Sequence, residues 1–263
     1  VLRALSIAKD KKMKNDDFGD RMKAYEATET KRKFTPMLPI IARIDGRSFS
    51  KFTKHFDKPF DNRLTSAMQD TCVMLVEATN ASIGYVQSDE ITLIFYSDDY
   101  DKPVFFGGRV QKMVSVLAGM ATAYFIRNLD MYSKQTYRDT TGYSAYPHFD
   151  ARVWQVPTKT EAANALLWRC QDARRNGVSS ACRSMYSTKQ MFKKSQLDMI
   201  AMMKDMGVDY NTTYSVSERF GSIFKRERDI LGKNSVQPRC HRAYFGDNDA
   251  ARRVAIIFGE EDA

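Results

Sequence analysis

Apolar residues fall along this chain in blocks of two distinct periods. Residues 38–44 form a compact apolar run with proline only near its start, the pattern of a buried strand. Over 61–80, Leu64, Met68, Cys72, Leu75 and Val76 recur at helical spacing, and Asp61 or Asn62 stands where a helix cap belongs. Segments 82–87 and 91–96 are rich in β-formers and flank Ser88-Asp89-Glu90, which reads as a hairpin. A second long helix is predicted over 108–128, with Val110, Val114, Leu117, Met120 and Ala121 on one face, and 149–156 returns as a strand. Upstream, 19–29 reads as a short helix, after which Pro36 and Pro39 break the chain. The order strand, helix, strand, strand, helix, strand is the ferredoxin-like split βαβ. It predicts an α+β fold in which an antiparallel sheet carries two helices on one face.

Beyond Pro157 the pattern turns helical. One helix is predicted over 161–175, with Asn176-Gly177 as its bend or stop. A Met-rich helix over 196–206 ends at Gly207, and its stripe of Met199, Met202, Met203 and Met206 reads as core packing. Segments 221–226 and 254–258 read as late strands. No internal repeat and no low-complexity linker interrupts the chain. Residues 1–16 are polar and Lys-rich, the composition of a mobile arm.

Chemistry concentrates at two points of this pattern. Ile44-Asp45-Gly46-Arg47-Ser48-Phe49 ends the first strand, and Gln87-Ser88-Asp89-Glu90-Ile91 makes the hairpin. In the predicted order both carboxylates reach the same sheet edge. Two aspartates at neighbouring strand ends can share hard divalent cations, and a metal pair is a standard means of moving a nucleotidyl group. The plainer reading is a pair of turn carboxylates. Asp45 and Asp89 are the primary catalytic candidates, with Glu90 beside them.

Composition narrows the partners. The net charge is +9 and the sequence pI about 9.3, a balance that suits a polyanion. The excess is concentrated in the second half, where Arg169, Arg174, Arg175, Arg183, Lys189, Lys193 and Lys194 fall in one stretch. Four scattered cysteines without a Cys-x-x-Cys pair argue against a zinc site or disulfide framework, and three histidines argue against a His-rich metal site. No apolar run approaches the ~18 residues of a membrane span, and no signal-peptide pattern opens the chain. The expectation is a soluble, cytoplasmic protein that does not engage membranes.

The motifs Asp-Gly-Arg-x-Phe and Gln-Ser-Asp-Glu together resemble the tRNA-histidine guanylyltransferase superfamily, enzymes that extend RNA in the 3′-to-5′ direction. Gly19-Asp20-Arg21-Met22-Lys23-Ala24-Tyr25-Glu26, Lys58-Pro59-Phe60-Asp61, Phe149-Asp150-Ala151-Arg152 and Trp168-Arg169 with Asp172 and Asn176 also match, so the resemblance covers roughly residues 17–180. The chain is similar to the Thg1-like branch. It has Arg174-Arg175-Asn176-Gly177-Val178-Ser179-Ser180 where the eukaryotic enzymes have a His-Ile-Asn-Asn-Leu-Tyr-Asn motif, and Arg174 stands in place of its histidine.

That resemblance implies a polymerase-type palm over 17–157 and a mostly helical region over 158–263, with late strands, that binds RNA and builds a homotetramer. It implies two Mg²⁺ ions held by Asp45, Asp89 and a backbone carbonyl at Gly46. It implies nucleoside triphosphates, ATP and GTP among them, as substrates contacted by Arg43, Arg47, Ser48, Phe49, Lys58, Ser88, Arg109 and Lys112. It implies a tRNA 5′ end contacted by Arg152, Arg169, Arg174 and Asn176. The reaction implied is activation of a 5′-monophosphate end by ATP, followed by attack of an incoming nucleotide's 3′-hydroxyl on the activated end. Four alternatives stay open at this point: guanosine addition limited to tRNA-histidine, a 5′-to-3′ palm polymerase, a nucleotidyl cyclase, and a non-catalytic RNA-binding relative.

Overall fold

The computed structural model describes residues 17–132, 146–228, 234–239 and 249–259. The predicted arm over 1–16 lies outside them. The elements are α1 (Asp17–Thr30), β1 (Ile40–Gly46), α2 (Phe49–Phe52), α3 (Asn62–Thr79), β2 (Ile83–Gln87), β3 (Glu90–Phe95), α4 (Val110–Tyr132) and β4 (Phe149–Gln155), followed by α5 (Lys159–Arg183), α6 (Thr188–Met191), α7 (Gln196–Asp205), α8 (Tyr210–Thr213), α9 (Val216–Phe220), β5 (Ser222–Arg228), β6 (Asn234–Arg239) and α10 (Ala250–Phe258). Among the described residues no helix is long and apolar enough to cross a membrane.

Among the described residues six strands form one sheet in the order β4-β1-β3-β2-β5-β6, with every neighbouring pair antiparallel. The first four strands and α3 and α4 make the expected ferredoxin-like α+β unit. Alternation along each strand sorts side chains by face. Ile40, Ala42 and Ile44 of β1 join Ile91, Leu93 and Phe95 of β3 under α3 and α4, against Met68, Leu75, Leu117 and Phe125. Asp61 caps α3 by accepting from the Arg63 and Leu64 backbone N–H groups. Asn80 ends the helix in the left-handed conformation. Arg226 of β5 closes that end, donating to Asn80 Oδ1 and to the free carbonyls of Val76 and Glu77.

The second face of the sheet is covered as well. Ile41, Ile83, Tyr85, Ile94 and Ile223 pack under Leu166 and Cys170 of α5 and under Val254 and Ile257 of α10. Two expectations are corrected here. Residues 254–258 are the end of a helix, not a strand. Asp249 caps it through the Ala251 N–H at 2.9 Å, and Val254 and Ile257, three apart, meet α5 and the sheet together. Tertiary packing overrides the strand preference of this β-branched run. Asn176-Gly177 does not stop α5, which runs unbroken for 25 residues. Gly177 is buried, and a Cβ there would stand 2.9 Å from the Tyr210 hydroxyl and 3.5 Å from the Glu218 carbonyl oxygen. The glycine serves a close helix crossing.

Short capped helices fill the stretch after α5. Ser187 with Gln190, Ser195 with Asp198, and Ser215 with Glu218 each form a reciprocal capping box. The Met-rich helix α7 packs as expected through Met203, with Met199 and Met202 partly buried beside it, while Met206 is exposed.

Gly177→Ala tests this crossing. Alanine gains about 1 kcal/mol of helix propensity, yet it must displace the buried Tyr210, an overpacking cost of roughly 1–3 kcal/mol. Chemical denaturation should show a net loss of stability, and a variant more stable than the parent would show that α8 and α9 do not press on this position.

Candidate active site

The site is built where β1 ends beside the β2–β3 turn. Ladder register sets Asp45 directly between Glu90 of β3 and Asp150 of β4. By alternation, Arg43 and Asp45 point to the α5 side, together with Glu90 and Thr92. The turn itself is Ser88-Asp89, with Ser88 at φ 53°. Asp89 is drawn onto β1 because its carbonyl accepts the Gly46 N–H at 3.0 Å. Gly46 has no room for a Cβ, which would enter the Phe49 ring. That ring is locked among Phe52, Phe125 and Phe149 at centroid distances of 5.0–5.4 Å. The chain leaves the strand through Arg47, whose N–H donates to the His148 carbonyl at 2.8 Å, and through Ser48 in the left-handed conformation.

Charge is distributed unevenly over this edge. Arg169 of α5 grips Glu90 with two parallel bonds, Nε to Oε1 and Nη2 to Oε2, both 2.6 Å. Asp172 holds the same guanidinium at 3.0 Å and is itself held by Arg175 at 2.8 Å. Arg43 Nε stands 3.9 Å from Glu90. Burial raises the Glu90 carboxyl above its ordinary range, against the pull of Arg169 and Arg43, and both of its oxygens accept from the one guanidinium. Asp45 and Asp89 have no such relief, since neither forms an ion pair with a basic side chain among the described residues. Burial first, then the charge of Asp45, raises Asp89 to about 6, against the pull of its own N–H and the Ser88 hydroxyl.

A cleft of about 740 Å³ opens over this edge. Its long wall is one face of α5, where Arg169, Asp172, Ala173, Asn176, Ser180 and Arg183 recur at spacings of one to four residues. The opposite rim carries Lys58, whose ammonium donates to the Thr53 carbonyl at 3.0 Å. Gln69 and Ser222, hydrogen-bonded to each other at 2.8 Å, line it from α3 and β5.

The fold brings together Arg43, Asp45, Phe49, Lys58, Ser88, Asp89, Glu90, Arg169 and Asn176 in this cleft. Gly46, Arg47 and Ser48 adjoin it without lining it. Arg109 and Lys112 stand elsewhere. Strand β3 carries the chain away from the hairpin edge, so α4 begins at the far end of the sheet, where Lys33 bridges Arg109 and Lys112 lies 5.4 Å over the Phe106 ring. Arg152 is half-exposed on β4 with Asp150 at 3.4 Å, outside the cleft. Arg174 is also outside, with its guanidinium 5.7 Å from the Phe220 ring centroid. Arg169 is not a free RNA contact. It is only 8% exposed and committed to Glu90 and Asp172. Asp172, Gln69, Arg183 and Ser222 were not among the predicted site residues. For Asp172 and Arg183 the helical spacing from Arg169 was a usable signal, while Gln69 and Ser222 meet only through the fold.

Asp89 supplies a pH test. Its carboxyl binds a proton more tightly in the folded protein than in the unfolded chain. Its favourable contribution is therefore present below pH about 4 and is lost as pH rises through about 6. In divalent-free buffer Asp89→Asn should melt above the parent at pH 7.5, by an amount on the order of 1–3 kcal/mol, and the gain should vanish by pH 4. Equal melting of the two proteins at both pH values would show that the fold does not raise the Asp89 carboxyl.

Comparisons with known proteins identify a family. Residues 19–157 match the family model for tRNAHis guanylyltransferase. An uncharacterised protein of Acanthamoeba polyphaga mimivirus is 31% identical over 242 residues, 84% of this chain and 82% of the relative. A bacterial tRNA(His) guanylyltransferase (Thg1)-like protein solved in complex with ATP superposes with a TM-score of 0.78 at 30% identity, over 92% of this chain and 99% of that one. Another structure so described, in complex with GTP, gives a TM-score of 0.74 at 28% identity over 92% and 100%. The chain belongs to the tRNAHis guanylyltransferase family and is a nucleotidyltransferase.

Proposed function

We propose that this chain adds nucleotides to the 5′ end of tRNA in the 3′-to-5′ direction, selecting each by its pairing with the opposite strand. The observation that carries the reading is the Asp45–Asp89 pair, two carboxylates without a cationic partner among the described residues, lining a cleft whose long wall and rim carry cations.

The residues fit divalent cations. A buried Asp89 carboxyl beside the charge of Asp45 is an oxygen donor set in need of positive charge, the preference of Mg²⁺. Among the described residues no group of three or more His, Cys, Asp or Glu side chains could close a cage, so the remaining positions fall to the Gly46 carbonyl, water and substrate phosphates. Asp45 and Asp89 would hold the ions, which when bound neutralise phosphate charge and align an in-line displacement. Glu90 is left to hold Arg169 and keep the α5 wall against the sheet. Lys58 is placed to meet a triphosphate at the rim. Phe49 closes the apolar side beneath it.

ATP and GTP, seen in complexes of the structural relatives, are the substrates expected here. In activation, a 5′-phosphate oxygen attacks the α-phosphorus of ATP and pyrophosphate leaves. In addition, the 3′-hydroxyl of the incoming nucleotide attacks the activated 5′ phosphorus and AMP leaves. A homotetramer in the cytoplasm remains the proposed assembly and location.

Asp45→Ala and Asp89→Ala should each abolish activation and addition while the protein stays folded by circular dichroism. Near-parental turnover of either variant at saturating Mg²⁺ would remove the metal assignment. Template choice is tested with 5′-truncated tRNAs bearing each of the four opposing bases. The absence of the His-Ile-Asn-Asn-Leu-Tyr-Asn segment leads to an added nucleotide that follows the template, whereas guanosine added opposite every base would establish the guanosine-only activity instead.

A further inference from the structure

A second groove adjoins the cleft at the far end of α5, and the nucleotidyl-transfer reading does not use it. It measures about 270 Å³ and lies between the end of α5 and the α6–α7 segment. Ser179 and Arg183 line both cavities, so the two are continuous along the helix. By helical rise, Arg183 is about 21 Å from Arg169. Whatever fills the groove therefore stands several nucleotides from the reacting carboxylates.

Its walls combine three features. Phe192 is 71% exposed, with the Lys193 ammonium 5.5 Å from the centroid of its ring. Lys193 takes a left-handed backbone, φ 59°, at the chain reversal between α6 and α7. Arg183 forms no ion pair among the described residues, and its guanidinium reaches only the Ser179 hydroxyl at 3.5 Å. Met191 and Met199 supply an apolar floor. The surrounding field is positive. Between residues 183 and 207 five basic side chains stand against two acids, and one of those, Asp198, is taken up by the Ser195 N–H and hydroxyl, each at 2.8 Å.

An exposed aromatic face beside unneutralised cations is the chemistry that holds an unpaired nucleotide, base on ring and phosphate on guanidinium or ammonium. An acidic peptide would use the cations but leave the ring without its partner. The volume lies just below the range of small-molecule pockets and admits one nucleotide, not a duplex. We infer that this groove binds a nucleotide of the single-stranded RNA segment that runs past the duplex end opposite the 5′ terminus, with its base on Phe192 and its phosphate between Arg183 and Lys193. The inference rests on the proposed action at an RNA 5′ end and adds to it a place for the opposite strand.

The test measures binding of two 5′-phosphorylated hairpin RNAs by fluorescence anisotropy, one blunt and one with a 3′ overhang of about four nucleotides. Phe192→Ala should weaken binding of the overhang RNA roughly tenfold, the loss of one stacked base, and leave blunt RNA unchanged. Phe192→Trp should restore it. Because the ring is exposed, the alanine variant should melt with the parent. Equal losses on both RNAs, or none on the overhang RNA, overturn the inference, as does a change in sedimentation that makes the groove a contact between copies. A parent that extends blunt RNA while Phe192 proves indifferent loses the groove alone. A parent that extends no RNA while Phe192 still discriminates overhangs keeps the groove and loses the polymerase reading.

Discussion

The two-point grip of Arg169 on Glu90 holds this structure's two halves in working relation. It joins the middle of α5 to the carboxylate-bearing edge of the sheet through bonds of 2.6 Å, with Asp172 fixing the guanidinium from behind. Removing one partner of such a buried pair costs on the order of 3–5 kcal/mol, most of it the charge left stranded. Glu90 is thereby withdrawn from the local negative charge, and Asp45 and Asp89 remain as the pair without compensation. A cleft wall and a polarised carboxylate site follow from one contact.

The antiparallel ladder supplies the other constraint. Register places Asp45 between Glu90 and Asp150, and a one-residue slip would turn every one of these carboxylates to the opposite face. The register is secured by burial on both sides, since β1 and β3 feed two separate apolar clusters. The Gly46 N–H to Asp89 carbonyl bond then fixes the hairpin turn against the end of β1. The phenylalanine cluster around Phe49 leaves the first turn after Asp45 little freedom.

Charge along α5 completes the division of labour. Near the carboxylates its cation is consumed internally, and toward its far end Arg183 faces open space. On the proposed reading the gradient runs from a carboxylate pair that would hold divalent cations to a positively charged surface that would meet the RNA.

Much of this was legible from residue order. The 3.6- and two-residue periodicities determined the ferredoxin-like core, and the strand-end positions of Asp45 and Asp89 determined that two carboxylates share an edge, because both are local patterns read against a known topology. The capping boxes at Ser187 and Ser215 were written there too, although the helices they open are too short to show a period. Three things were decided only by tertiary structure. Val254 to Phe258 became helix because a cap and a packing face outweighed a β-branched run. Gly177 stayed inside a helix because Tyr210, 33 positions later in the chain, needed the space of a missing side chain. Arg169 became an internal brace, and Arg109 and Lys112 fell at the far end of the sheet. A basic residue's type says it can bind phosphate, whereas its partner is set by which distant carboxylate the fold brings within reach.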